Sequence, residues 1–532
     1  MGMEGMKQRI RLAAFGLILL LGTAPAFSQE YSYSKYYDFP DDRGPDNIGL
    51  DAVTVCTTYV GGLYILPQCR PGRLSTFTYS VYDGDRLVWS HKAVRGEREV
   101  MAYVEGIVSW TADTPARYTL RISGRSGDDV VLPLLFRDVR YSDRKLNVNG
   151  YANIGYKAVK GDDVNIDDLA ALKDMNFNML VVDEITEALD SAALTDGMYL
   201  FSKKEVPGWE MFPSSKEMLG MSTADRMEVT YKNRPVRSIC IVDEKRLDIL
   251  NNSFLKGMKL HLDFLHNGSR VSSRDVDLWD MPVMGTKSIS LDMSAVPDKG
   301  DIFLNVMYTC GNMVISSEQF MIREEVRLFR PKSGRCCVNI RPKEFVIEGD
   351  FKLPRKHWTV SIDRKTGALA SYVVGGKELI GKPLMPVNWT PDNLNGVQIR
   401  HSGDVIVASR FGVMQYTVNG DGSIEVNVKG NGPIRFEMGL PAEDSQTRYY
   451  GRGPGDIPSS EYTYGKMGVY TQPVGTAHTD LRWMDVKKEG GYGMRFLSDS
   501  SFALGTSAEE GMTVVRVQGT DNEFQLVLQP IM

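Results

Sequence analysis

Hydrophobic and polar positions alternate along most of the chain. Ala52-Val53-Thr54-Val55, Leu74-Ser75-Thr76-Phe77-Thr78-Tyr79 and Arg117-Tyr118-Thr119-Leu120-Arg121-Ile122 alternate or are rich in β-branched and aromatic residues, and Asp83-Gly84 and Ser126-Gly127-Asp128 supply turns between runs. Short strands at this spacing predict an antiparallel sandwich. After residue 146 the period changes. Ile166, Leu169, Leu172 and Met175 recur every third residue, the apolar stripe of an amphipathic helix, with Asn165 as its N-cap. Asn176-Phe177-Asn178 ends that helix, and Met179-Leu180-Val181-Val182 is a continuous apolar run suited to a buried parallel strand. A second short helix over 188–194 leads to Met198-Tyr199-Leu200-Phe201, which completes one βαβ-like unit. From Val229 the chain returns to strands. Leu260-His261-Leu262-Asp263-Phe264-Leu265 enters an Asn267-Gly268 turn, and Ile302-Phe303-Leu304-Asn305-Val306-Met307-Tyr308 is a further strand. Turns at Thr366-Gly367, Gly375-Gly376, Asn419-Gly420-Asp421-Gly422 and Gly490-Gly491 divide the remainder into many strands.

These patterns predict a mainly β, multidomain chain. A sandwich over 29–145 is followed by a short α/β stretch over 146–206, a second sandwich over 207–330 and a larger β-sandwich over 335–532. The tyrosine-rich segment from Tyr31 to Tyr37 and the Pro/Gly/Asp stretch after it read as a lead-in loop, and Pro331 to Gly334 as a linker. A chain of 532 residues exceeds what one hydrophobic core serves.

Composition and charge narrow the partners. Hydrophobic residues make up 42% and charged residues 24%, which argues against long disorder. A net charge of -5 gives no basic field for nucleic acid, so a neutral sugar or a protein fits better. Lys7, Arg9 and Arg11, the apolar run 12–21 and Ala26-Phe27-Ser28 make a secretory signal peptide over 1–28, with cleavage after Ser28. A periplasmic or secreted location follows. The run is too short to span a bilayer and no second segment is long enough, so no membrane span is expected after cleavage.

Six cysteines, Cys56, Cys69, Cys240, Cys310, Cys336 and Cys337, permit disulfides in an exported protein without fixing their connectivity. Cys56 and Cys69 are candidates to bridge neighbouring strands, whereas adjacent Cys336 and Cys337 point to opposite faces and need different partners. No CxxC pair occurs and the histidines are scattered, so neither a metal nor a cofactor is expected.

Three separated stretches resemble, in order, the β-galactosidases of glycoside hydrolase family 2. Ser109-Trp110-Thr111-Ala112-Asp113-Thr114-Pro115, Phe136-Arg137-Asp138-Val139 and Leu146-Asn147-Val148-Asn149-Gly150 resemble the end of the family's first immunoglobulin-like domain and the approach to its barrel. Asp167-Asp168-Leu169, Met175-Asn176-Phe177-Asn178 and Asp196-Gly197-Met198-Tyr199 resemble the barrel's opening turn. Asp363-Arg364-Lys365-Thr366-Gly367-Ala368-Leu369, Tyr449-Tyr450-Gly451-Arg452-Gly453-Pro454-Gly455 and Thr479-Asp480-Leu481-Arg482-Trp483 resemble its C-terminal domain, the last two strings being the most specific. The resemblance implies that both small sandwiches are immunoglobulin-like and that 146–206 is the remnant of a (β/α)8 barrel.

That barrel takes about 250 residues, and the chain between Gly150 and the second sandwich holds about a quarter of one. A retaining glycosidase needs two carboxyl groups about 5 Å apart across the scissile bond. Both lie on late barrel strands in the family, on segments with no counterpart here. Val181 and Glu184 stand where the family places an arginine and a histidine; its N-terminal jelly-roll and its late tryptophan loop find no match either. No catalytic residue is therefore assigned.

Asp183-Glu184 would lie at the tip of a barrel-type strand, but neighbouring strand residues point opposite ways and cannot flank one bond without a bend. Asp162-Asp163, Asp167-Asp168, Glu324-Glu325 and Glu509-Glu510 read as solvated charges or helix-start acids. Trp389, Asp392 and Asn393 form a loop open to two readings: a sugar-stacking tryptophan with hydroxyl-binding neighbours, or a packed turn. Arg452, Gly453, Arg482 and Trp483 read as structural, the glycines of their string supplying positive φ and Arg452 pairing a buried carboxylate. The expected function is an exported β-galactosidase-like chain that has lost hydrolysis and binds a galactoside-like carbohydrate or a protein as a scaffold. Two alternatives stand beside it: β-galactosidase activity, alone or with a barrel-supplying partner, and a purely structural role.

Overall fold

A computed structural model describes residues 31–39, 49–69, 76–124, 129–161, 164–325, 329–352, 354–441, 445–454, 464–488 and 491–532. The expected signal peptide, most of the Pro/Gly/Asp stretch, Leu74-Ser75, the expected 126–128 turn, Asp162-Asp163, Gly455, the 457–460 segment and Gly490 lie outside the described residues. Two compact units are present, 1–173 with 178–214, and 174–177 with 215–532.

In the first unit, Tyr33–Asp38, Leu50–Thr57, Gly62–Cys69 and Val100–Tyr103 make one antiparallel sheet in that order, and Arg86–Lys92, Thr78–Asp83, Tyr118–Ser123 and Asp129–Leu134 make a second. Alternate residues of both sheets, among them Val53, Val55, Leu63, Val81, Leu120 and Ile122, share one buried core. The tyrosine-rich segment is thus an edge strand, not a lead-in loop. Tyr37 packs on the core and its hydroxyl donates to the Pro133 carbonyl at 2.9 Å, while Tyr36 points out. Tyrosine on both faces conceals a period of two.

After that sandwich, Ala158–Lys160, Met179–Val182 and Tyr199–Ser202 form a three-stranded parallel sheet, connected through the helices Asp168–Asp174 and Glu187–Asp196. Met179 to Val182 are all buried, as a strand covered on both faces requires. Asn165 stands three residues before Asp168, where the first helix begins. Its N–H donates to Asp168 Oδ2 at 3.0 Å and its carbonyl accepts from the Asp168 N–H, so a turn comes first and leaves Ile166 exposed.

In the second unit, strands begin only at Val236, because Ser215–Gly220 and Thr223–Asn233 are helices. Ser222 caps the second of these by accepting from the Asp225 N–H. Val236–Ile241, Arg246–Asn251 and Gly285–Ser290 form one sheet and Ser269–Leu278, Met258–His266, Ile302–Cys310 and Met313–Arg323 another, over a shared core that includes Leu247, Leu260, Leu304 and Tyr308. From Cys336–Ile340 to Glu523–Ile531 the chain is one 17-stranded antiparallel sheet. It folds back on itself where Ile424–Gly430 pairs with Glu523–Ile531 and Arg435–Leu440 with Met512–Gly519, enclosing Trp358, Tyr372, Phe436 and Phe496.

All six cysteines are free thiols. The Cys56–Cys69 bridge is ruled out by register: Cys56 faces Tyr64, five residues from Cys69. That is about 17 Å along a strand, where a disulfide needs Cα atoms within about 7 Å.

Candidate functional site

Three places hold the residues singled out by sequence. The first is the C-terminal end of the parallel strands. Gly161 follows the first strand with no side chain, and a Cβ there would meet Val182 at 2.8 Å and Leu180 at 3.0 Å. An open depression of about 680 Å³ results, its lining including Val164, Asp167, Asp168, Val182, Asp183 and Glu184. The strand ends at Val182 and residues 183–184 lie in a bend, so both acids line the depression instead of pointing apart.

Glycoside hydrolysis needs more than proximity. One carboxyl must be kept protonated by burial while its partner stays ionised. The Asp183 side chain is 80% exposed, with Lys203 Nζ at 2.9 Å, and Glu184 is exposed. Asp168 Oδ2 is engaged with the Asn165 N–H in the turn that opens its helix. A barrel closes with eight parallel strands, and the described residues between 150 and 214 supply three parallel ones, plus a single parallel bridge from Lys160 to Ser214.

The second place is the Trp389 loop. Trp389 is only 7% exposed and belongs to the core of the large sheet. The side chain of Asn393 is buried and consumed locally. Its Oδ1 accepts from the Thr390 N–H at 3.1 Å and from Ser409 Oγ at 3.3 Å, and its Nδ2 donates to the Asn388 carbonyl at 3.0 Å. Of the three residues only Asp392 is exposed. The geometry is that of the packed turn.

The third place is where the two most specific strings meet. Gly451 and Gly453 sit in the extended strand Ser445–Gly453 without positive φ, which corrects the expectation of left-handed glycines. Space is the reason for them. A Cβ on Gly453 would lie 2.6 Å from the Tyr449 hydroxyl, and one on Gly451 would lie 2.6 Å from Leu481. In the strand Ala477–Lys488 the pairing slips between His478 and Leu481, and Asp480 takes φ 54°, a conformation aspartate tolerates. That bulge places its carboxylate between two guanidinium groups: Arg452 donates through Nε at 3.1 Å and through a terminal nitrogen at 3.0 Å, and Arg482 donates at 3.0 Å.

Arg482 also pairs with Glu324, which is therefore no freely solvated charge, and its Nε lies 3.5 Å from Asp301. Fully buried Asp301 further accepts from the Tyr450 hydroxyl at 3.3 Å and the Glu325 N–H at 3.0 Å. Trp483 packs beside Leu265, Phe303, Tyr450 and Met467, with Arg495 4.7 Å from its ring centroid. Gln319 adds a two-way bond to the Met467 backbone at 2.7 and 2.8 Å. This cluster joins the second small sandwich to the large sheet. Asp301 and Gln319 gave no sequence signal, because a single acid or amide at the end or middle of a strand looks like any other.

Residues 354–510 match the family model of the beta galactosidase small chain. No curated protein matches the chain. Similar solved structures include a beta-glucuronidase of an uncultured Clostridium sp., at 16% identity over 29% of this chain and 29% of that one with a TM-score of 0.25. An FMN-binding beta-glucuronidase from Facaelibacterium prausnitzii L2-6 is 10% identical over 51% of this chain and 73% of that one, with a TM-score of 0.25. Beta-glucuronidase of Bifidobacterium dentium, complexed with coumarin-3-O-glucuronide, is 14% identical over 37% and 35%, with a TM-score of 0.24. The chain thus spans less than a third of the first of these structures, and superpositions this loose carry no inference about chemistry. What the comparisons supply is a likeness of the large C-terminal sheet, over 354–510, to the small chain of β-galactosidase.

Proposed function

We propose that this chain is an exported, β-galactosidase-like protein of glycoside hydrolase family 2 descent that does not cleave glycosides and serves as a carbohydrate-binding or scaffold protein. Its domains follow the boundaries read from sequence, with immunoglobulin-like sandwiches on either side of a barrel remnant. One observation carries the reading. The parallel sheet has three strands, and the acids at its tip are exposed or engaged in their own turns. Exposed carboxyls on an open three-stranded sheet have no opposed partner across a bound sugar to divide the work of acid and nucleophile.

Incubating the purified chain with aryl β-galactosides tests this. The expected result is release of aryl alcohol no faster than in buffer. Turnover abolished by Asp183→Asn or Glu184→Gln would overturn it.

A second reading draws on the name of the matched family, whose members are a small chain. Here the chain completes a β-galactosidase whose barrel another polypeptide supplies. Co-purification with a barrel-bearing protein, and activity gained only in the mixture, would favour that reading.

A further inference from the structure

Three polar side chains on the outer face of the second small sandwich form a donor–acceptor chain. Alternation along Met258–His266 buries Leu260 and Leu262 and turns Lys259 and His261 outward. A bulge beside Phe264 and Leu265 shifts the pairing with Ser269–Leu278 by one residue, so Asp275 and not Arg274 faces His261. On the other side, Ile302–Cys310 brings Met307 opposite His261 and Thr309 opposite Lys259. His261 Nδ1 lies 2.7 Å from Asp275 Oδ1, and its Nε2 lies 3.0 Å from the Thr309 hydroxyl. An ionised carboxylate only accepts, so Nδ1 carries the proton and Nε2 of the neutral ring accepts from Thr309. All three residues stand on paired strands, so backbone ladders fix their spacing.

The fold gains little from this pair, because the Asp275 side chain is 70% exposed and its charge is already solvated. Its chemical capacity is larger. A carboxylate that orients an imidazole, which in turn accepts from a hydroxyl, is the arrangement that makes a hydroxyl nucleophilic. Lys259 supplies a cation on the same face, directly opposite Thr309. It pairs only loosely with Asp277, at 3.8 Å between two exposed side chains. An ammonium group there meets the negative charge that develops on a carbonyl oxygen when Thr309 attacks its carbon. Half-buried Met307, next to Thr309 on the same face, offers an apolar surface to an acyl group. Asp263, Asp275 and Asp277 outnumber Lys259 on this face, which selects against an anionic substrate.

We propose that Thr309, His261 and Lys259, with Asp275 positioning the imidazole, cleave neutral carboxylic esters. Thr309 Oγ1 bonds to the carbonyl carbon as its proton passes to His261 Nε2. The bond from that carbon to the alcohol oxygen then breaks, and the alcohol leaves with the proton. Water gives a proton to the same Nε2 as it attacks the acyl-threonine, releasing the carboxylic acid and restoring the Thr309 hydroxyl. No carboxylate bonds to a sugar in these steps, so the activity is independent of the function proposed above.

Turnover of 4-nitrophenyl acetate by the whole chain, with the acetyl group mapped by mass spectrometry after an acid quench, tests the site. Nitrophenol is released faster than in buffer, and the quenched chain carries acetyl on Thr309. Thr309→Val, which keeps the side-chain shape, and His261→Phe each lower kcat/KM about a hundredfold, the scale of a lost general base, whereas Thr309→Ser retains turnover. Asp275→Asn lowers turnover and Asp275→Glu recovers it, while the thermal midpoints of both stay near the wild-type value because the pair is exposed. Release no faster than in buffer, or release unchanged in Thr309→Val, overturns the proposal. So does acetyl found on lysines or on the His261 ring with Thr309 bare. If Thr309→Val melts early, His261→Phe and the acetyl map decide. Aryl β-galactosides report separately on glycoside cleavage, so failure of either claim leaves the other standing.

Discussion

Asp301 has no exposed surface, and Arg482 is its cationic partner among the ion pairs described. Replacing Arg482 by Met keeps the bulk of the side chain and takes this cationic partner away from a buried carboxylate. Breaking a buried pair from one side costs about 3–5 kcal/mol. We expect Arg482→Met to lower the thermal midpoint of the second unit by several degrees, with Arg482→Lys intermediate because it keeps charge but loses the fork. A variant that melts with the wild type would show that Asp301 does not depend on Arg482. Glu437 gives the pH dependence. Lys382, and Arg516 beside it, hold its carboxyl below the usual carboxylate range. The unfolded chain therefore binds this proton more readily, so the pair stabilises the fold above the ordinary carboxylate value and is lost as pH falls through the lowered one. The midpoint should drop on acidification below about pH 4, and Glu437→Gln should lower the neutral midpoint slightly and shrink that drop. An unchanged pH profile would contradict it.

Elements were legible where one face is apolar and the other polar, or where both faces are apolar. Met179–Val182 announces itself as a buried parallel strand because four apolar residues in a row fit nothing else so short. Other elements were concealed, the first strand and the two helices just before Val236 among them. Tyr33–Asp38 carries tyrosine on both faces, so its period of two has no polar half. The helix Thr223–Asn233 has no buried residue and hence no stripe, although Ser222 and Asp225, spaced as a capping pair, marked its start. The glycines of Tyr449 to Gly453 were legible as necessary but for the wrong cause. Gly453→Ala tests the cause. If φ were the requirement the cost would be backbone strain; in an extended strand it is collision with the Tyr449 hydroxyl and the Tyr470 ring, at 2.6 and 2.9 Å from an added Cβ. Overpacking costs about 1–3 kcal/mol, and a second change, Tyr449→Phe, should recover part of it by removing the nearest atom. No recovery would point back to the backbone.

For the whole molecule, the mainly β character followed from counting, since strand patterns recur throughout, and too few residues for an eight-stranded barrel separate Gly150 from the next run of strands. The contacts that hold the second small sandwich to the large sheet could not be counted that way. Arg482 and Asp301 are far apart in sequence, and only the fold brings them together. The same limit applies to the candidate site. Asp183 and Glu184 could be named from their place after an apolar strand, but whether they are buried and opposed, or exposed with Asp183 paired to Lys203, is a property of the packing around them.

The central claim is that no carboxylate of this chain attacks a sugar. A retaining glycosidase passes through a covalent glycosyl-enzyme, which an activated 2-deoxy-2-fluoro-β-galactoside arrests by forming it quickly and releasing it slowly. Intact-mass measurement after prolonged incubation should return the unmodified chain. A stoichiometric gain of one fluorogalactosyl group, mapped to an aspartate or glutamate, would contradict the account.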